Sequence, residues 1–167
     1  FALVGPLYAH QYRDKFTGEH KKRTAPRVAD WVERDIAGEG KDGDLIGDDD
    51  IPTTLLPILK VQMQEQVPTL EKTNALFAEW TKTASSGDAL PRGLDIIDFQ
   101  TGGVSGKCMA RTFPLWRLQA ALDVMSAMSE ADHARTAAFL RAIDGEALLD
   151  FKPAARLARV NYHVCLA

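Results

Sequence analysis

The chain has 167 residues, 46% hydrophobic and 26% charged, the make-up of one ordinary folded domain, which argues against disorder and against a membrane protein. Its 20 Lys and Arg stand against 23 Asp and Glu, a formal net charge of −3, which argues against a nucleic-acid binder with a broad basic face. No run approaches the ~18 apolar residues of a membrane span, no basic start followed by an apolar stretch marks a signal peptide, and two cysteines, Cys108 and Cys165, predict free thiols in a reducing cytoplasm.

In chain order, Phe1 to Asp14 is apolar on almost every side until His10, which predicts a buried helix kinked or turned at Pro6. It opens inside an apolar pattern with no Met and no capping residue ahead, so the chain reads as a piece of a longer polypeptide. Lys15 to Thr24 reads as a polar connector. Thr24 then precedes Ala25-Pro26 as a helix cap, and Val28, Trp31, Val32 and Ile36 place one apolar stripe on the helix that follows. Gly38 and Gly40 stop it. The acidic, glycine-rich stretch Gly38 to Asp50 reads as a solvated loop.

Asp49 or Asp50 is expected to cap a long helix from Ile51-Pro52 toward Thr83. Leu56, Leu59, Met63, Val67, Leu70, Phe77 and Trp80 mark its stripe over roughly 45 Å, with bends expected at Pro57 and Pro68. From Leu94 the period shortens to two. Leu94 to Gln100 and Cys108 to Phe113 read as strands of a hairpin, with Gly102, Gly103 and Gly106 supplying positive φ between them. Pro114 opens a helix carrying Leu115, Leu118, Leu122 and Met125. Ser129 and Asp132 form a capping box for another that ends before Gly145. After a helical turn near Glu146, the tail alternates, with Val160, Tyr162, Val164 and Leu166 on one side, as one terminal strand that joins the hairpin.

Register decides the motif chemistry. A phosphate-binding loop over Thr101 to Cys108 requires glycine at Thr101 and a hydroxyl at Cys108, and has neither. A calcium loop from Asp42 places Asp44 and Gly47 correctly, but puts Ile46 and Thr53 where oxygen ligands belong. His10, His20, His133 and His163 lack metal-binding spacing, the cysteines lack a CxxC partner, and no GxSxG elbow is present. Tyr8 and Tyr12 share a helical face with Arg13 adjacent, and Trp116 stands beside Arg117. For all three rings, plain packing competes with a role in ligand contact. A chain without nucleophile, base or metal site is expected to bind, position or dimerise.

Several segments together carry a resemblance: FALVGPLYAHQYRD (Phe1 to Asp14), APRVADWVER (Ala25 to Arg34), DDDIPTTLLPIL (Asp48 to Leu59), DFQTGGVSG (Asp98 to Gly106), GEALL (Gly145 to Leu149) and ARVNYHVCLA (Ala158 to Ala167). Over nearly its whole length the chain resembles the carboxy-terminal half of bacterial glutathione S-transferase-like proteins. The resemblance implies a mainly α fold, a glutathione S-transferase C-terminal-like helical bundle with a small β-hairpin or sheet near the C-terminus. Residues 1–38 would belong to the helical core and 39–167 to a helical and hairpin extension, with the amino-terminal thioredoxin-like domain absent. It implies that glutathione is the co-substrate of the full-length parent and is not bound by this chain alone. The catalytic positions would lie on the missing domain, and no metal is implied. The helical half would supply a wall of the hydrophobic second-substrate pocket, with Tyr8, Tyr12 and Trp116 as candidates, and part of a homodimer contact, with neither nucleic acid nor membrane as partner. The alternative function is a non-catalytic interaction module.

Overall fold

The computed structural model describes residues 4–39 and 51–167. The calcium register at residues 42–50 and the cap expected from Asp49 or Asp50 lie outside the described residues. The chain divides into two compact units, Phe1–Asp50 and Ile51–Ala167.

In the first unit, helix α1 (Val4–Pro6) passes into a π-helical turn at Leu7–Tyr12. Proline has no N–H for the helical ladder and crowds the preceding turn, and the widened turn follows it directly. Lys15–Thr24, expected as a connector, is helix α2. Its start is fixed by Asp14, which accepts from the Thr17 N–H at 3.1 Å, and Lys21, Lys22 and Arg23 occupy its last turn, where a cation meets the negative end of the helix dipole. It has no apolar stripe and packs instead through buried Gly18, whose missing side chain admits the Tyr12 carbonyl. Helix α3 (Pro26–Ile36) begins at Ala25 without a side-chain cap. Thr24 does not cap it, because it ends α2 and gives its hydroxyl to the His20 carbonyl at 2.8 Å. Of the apolar stripe, Val32 is buried together with Ala29, while Val28, Trp31 and Ile36 remain partly exposed. Gly38, at φ 71°, ends the helix.

In the second unit, helix α4 (Leu56–Thr81) starts five residues later than its pattern predicts, with Pro57 in its first turn. Its 26 residues rise about 39 Å, and Pro68 lies inside an uninterrupted helix. Strands β1 (Gly93–Thr101) and β2 (Val104–Arg111) pair antiparallel from Thr101↔Val104 to Gly93↔Arg111, with an irregularity between Gly93 and Ile96. Gly102 and Gly103 turn the hairpin at φ 55° and 77°. Gly106 takes no part in the turn. It lies opposite Phe99, and a Cβ there would stand 2.9 Å from Cε1 of that ring. Helix α5 (Phe113–Ser126) follows at once. Helix α6 (Glu130–Ala142) is capped by Ser129, whose hydroxyl accepts from the Asp132 N–H at 3.1 Å. Asp132 returns its carboxylate to the Ser129 hydroxyl, not to the backbone as a Glu would, a consequence of its shorter side chain. Beyond α6, Asp144 takes the left-handed conformation at φ 58°, and the buried Gly145 lies against Met63 and Leu140.

The tail is not one strand joined to the first hairpin. It is a second hairpin, β3 (Leu157–Val160) and β4 (His163–Leu166), turning at Asn161 and Tyr162 with φ 48° and 67°. The free edge of β4 pairs with residues 87–90: the N–H of Leu90 reaches the Val164 carbonyl at 2.9 Å, and that of Gly87 reaches the Leu166 carbonyl at 2.8 Å. The core of this unit centres on Phe77, Leu115 and Leu157, with Leu70, Trp80, Trp116 and Phe151 packed around them.

The expected fold class is therefore corrected. This is a mixed α/β arrangement with two separate two-stranded antiparallel sheets, not a mainly α glutathione S-transferase C-terminal-like bundle. The physical reason is that the apolar stripe of α4 is covered chiefly by the β1–β2 hairpin and to a lesser extent by α5, so strands occupy the place a bundle gives to helices. Among the described residues, no helix is long and apolar enough to cross a membrane.

Candidate functional site

The hairpin β1–β2 is latched to α4 at several points. Glu65 on α4 accepts from the Thr101 hydroxyl at 2.8 Å and from the Gly102 N–H at 2.6 Å, holding the turn. Two turns on, Lys72 donates to the Asp98 carbonyl at 2.6 Å. Across the strand pair, Lys107 of β2 lies 2.8 Å from the carboxylate of Asp98 opposite it on β1, and that hydrogen bond with its charge holds Asp98 below the usual carboxylate range. At the other end, the buried Thr112 donates its hydroxyl to the Pro91 carbonyl at 2.6 Å and fixes the junction between β2 and α5.

Held this way, the hairpin leaves a groove of about 880 Å³ between itself, α4 and the first turns of α5. Met63, Val67, Leu70 and Thr73 of α4 form its floor, Phe99, Cys108 and Met109 one wall, and Phe113, Pro114 and Leu118 the other. Gly106 lets the Phe99 ring lie flat across the strand pair. The Thr73 hydroxyl donates to the Thr69 carbonyl at 2.8 Å, so the floor presents no unsatisfied hydroxyl. Phe113 and Met109 remain half-exposed, at 56% and 42%, and form an apolar lip. These apolar side chains recognise shape and apolar area.

A smaller cavity of about 490 Å³ brings together Asp123, Ser126 and His133. Their residue types could make a nucleophile, a base and an orienting carboxylate, but the bonds run elsewhere. Ser126 donates to the Asp123 backbone carbonyl at 2.8 Å, and the Asp123 carboxylate pairs with Arg156, which lowers its pKa. No hydrogen bond joins His133 to either residue, so the nucleophile–base contact that activates a serine is not formed. Among the described residues, no group of three or more His, Cys, Asp or Glu is placed to hold a metal ion.

The sequence-derived candidates fall elsewhere. Tyr8 stacks on Tyr12 with ring centroids 6.4 Å apart, and the Arg13 guanidinium lies 5.9 Å from the Tyr8 ring. The Tyr12 hydroxyl donates to Glu33, and Lys22, 3.5 Å from the same carboxylate, also stands over the Tyr12 ring. Tyr12 thus ties Leu7–Tyr12 to α2 and α3 in the first unit, while Tyr8 stacks on Tyr12 within its own segment. Trp116 belongs to the second unit, where it packs against the Phe77–Leu115–Leu157 core with the Arg159 guanidinium 5.5 Å from its ring. Phe113, Pro114 and Leu118 of the same helix line the groove. Sequence reasoning named the α4 stripe only as core and missed Glu65, Phe99 and Phe113. A large aromatic directly before the helix-opening Pro114 was the one signal for the last of these.

No family model, no curated protein and no solved structure matches this chain.

Proposed function

We propose that this chain is a ligand-holding module whose groove between α4, β1–β2 and α5 takes an apolar small molecule. In a longer glutathione S-transferase-like polypeptide that groove is the second-substrate wall, and glutathione is held and activated on an amino-terminal thioredoxin-like domain. The parent works as a homodimer in the cytoplasm. The observation that carries the reading is the groove's apolar lining together with its fixed hairpin wall; the sequence resemblance supplies the reaction class. An electrophile with an apolar body needs buried area and shape, which this groove offers, whereas thiolate activation needs fixed donors beside the sulfur.

The test is binding of the neutral, polarity-sensitive dye Nile red to the 167-residue chain and to Phe113→Asp. An acidic residue in the first turn of α5 suits the helix dipole, so helicity by circular dichroism stays unchanged. Dye affinity falls roughly tenfold, from a lost apolar contact and a charge facing an apolar probe. Bound dye also slows alkylation of Cys108. Equal dye affinity in the two proteins refutes the groove. The second reading, a non-catalytic interaction module, is favoured by the exposure of Phe16 at 79% on the first unit. A Phe16-dependent protein partner together with no transferase activity in the parent would select it.

A further inference from the structure

The groove is polarised along its length. Three charged side chains line it: Glu65, Arg111 and Arg117. Glu65 is at the turn end, where both carboxylate oxygens already accept bonds from Thr101 and Gly102. Arg111 is seven strand residues beyond Val104, roughly 23 Å away at the rise of an extended chain. Arg117 is one turn into α5, whose first turn, Phe113 and Pro114, lines the same end and turns its positive dipole end toward it. Among the described residues, neither arginine has a carboxylate partner, although Lys60, Lys107, Arg135 and Arg156 all do. The Arg117 guanidinium lies 5.8 Å from the Trp116 ring, a contact that leaves its N–H groups open.

Resting on the groove reading above, we propose that its ligand is an apolar molecule with a terminal carboxylate: the apolar body lies over Val67 and Leu70, and the carboxylate sits between Arg111 and Arg117. A guanidinium presents paired N–H donors that match the two oxygens of a carboxylate, and a largely buried apolar floor beside it, with Val67 5% exposed, lowers the local dielectric and strengthens the pair. At the opposite end, Glu65 repels the same head group, so the ligand has one orientation.

The experiment compares decanoate with methyl decanoate by titration calorimetry, on the 167-residue chain and on the Arg111→Gln/Arg117→Gln variant, both below micelle-forming concentration. The chain prefers decanoate by about tenfold, the size of one well-made charge-assisted contact. That preference shrinks in 0.5 M NaCl, where the screening length is about 4 Å. In the double variant it falls to within about twofold while methyl decanoate binds as before. Equal affinity for acid and ester in the unmodified chain overturns the carboxylate site and leaves the apolar groove standing. Loss of ester binding in the double variant also overturns it, since the arginines would then be shaping the groove instead of reading charge. Failure of both ligands to bind the unmodified chain overturns the groove reading itself.

Discussion

Gln119 provides the sharpest test of how the second unit is held together. In the β3–β4 hairpin, Val160 faces His163 across the turn, so the hydrogen-bonded pairs alternate and Leu157, opposite Leu166, turns its N–H and C=O away from β4. Gln119 closes both: its Oε1 accepts from the Leu157 N–H at 2.8 Å and its Nε2 donates to the Leu157 carbonyl at 2.9 Å. Gln119 and Leu157 are each 6% exposed, so water cannot replace the amide. Gln119→Leu keeps the bulk and leaves two buried backbone groups without partners, each costing ~1–3 kcal/mol. Part of that is offset by the greater apolarity of leucine, ~1–2 kcal/mol, leaving a net loss of about 1–4 kcal/mol. Urea unfolding followed by tryptophan fluorescence reads this as a midpoint lower by roughly 0.5–2 M with an unchanged slope. Gln119→Glu separates the hydrogen bond from the shape. At pH 8 the carboxylate faces the Leu157 carbonyl with no donor, and relative to the unmodified chain the variant regains stability at pH 4.5, where a protonated carboxyl donates again. If Gln119→Leu unfolds within ~0.5 kcal/mol of the parent, or Gln119→Glu shows no relative recovery in acid, the amide does not secure the terminal hairpin.

Two further outcomes bear on the groove wall and the surface charges. Gly106→Ala puts a Cβ 2.9 Å from the Phe99 ring, so it lowers stability by ~1–3 kcal/mol in the parent but by less in a Phe99→Leu background; an equal loss in both, in a double-mutant cycle by urea unfolding, rules out ring displacement as the cause. Asp98, Asp123 and Asp144 are held below the usual carboxylate range, first by hydrogen bonds from Lys107, Arg156 and Lys60 respectively. Their contribution is fully present above the unfolded value of ~3.9 and is lost as pH falls from there through the folded values. Asp144→Asn accordingly flattens the fall of the urea midpoint below pH ~4, and 0.5 M NaCl flattens it in the parent; a variant with the parent's acid slope would remove Asp144 from this account.

Legibility followed the kind of force involved. Helix α4 was readable because one buried stripe recurs every three or four residues, and α6 because Ser129 caps within three residues of itself. Helix α2 was not, since its one buried residue is a glycine, Gly18, and a missing side chain leaves no mark on a hydrophobic pattern. Asp14 followed by a basic last turn was the available signal. The mainly α bundle failed for a related reason: a stripe states that a helix face is covered, but not whether helices or strands cover it. The groove inherits that ambiguity, because Val67 and Leu70 look the same from sequence whether they are sealed in a core or form the floor of an open channel.

The terminal hairpin draws the boundary most clearly. By itself the sequence determined the extended conformation of the tail, the turn at Gly102-Gly103 and the starts of α5 and α6, because these depend on residues within a few positions of one another. Only the tertiary structure decided that Asn161 and Tyr162 turn the tail back on itself, so that Val164 and Leu166 share a face with Leu157 and not with Val160. It alone also brought Gln119 to Leu157, Glu65 to Gly102 and two arginines to one end of a groove. The first two of these contacts join residues 38 and 37 positions apart, and their free energy exists only once the chain has closed the loops between them.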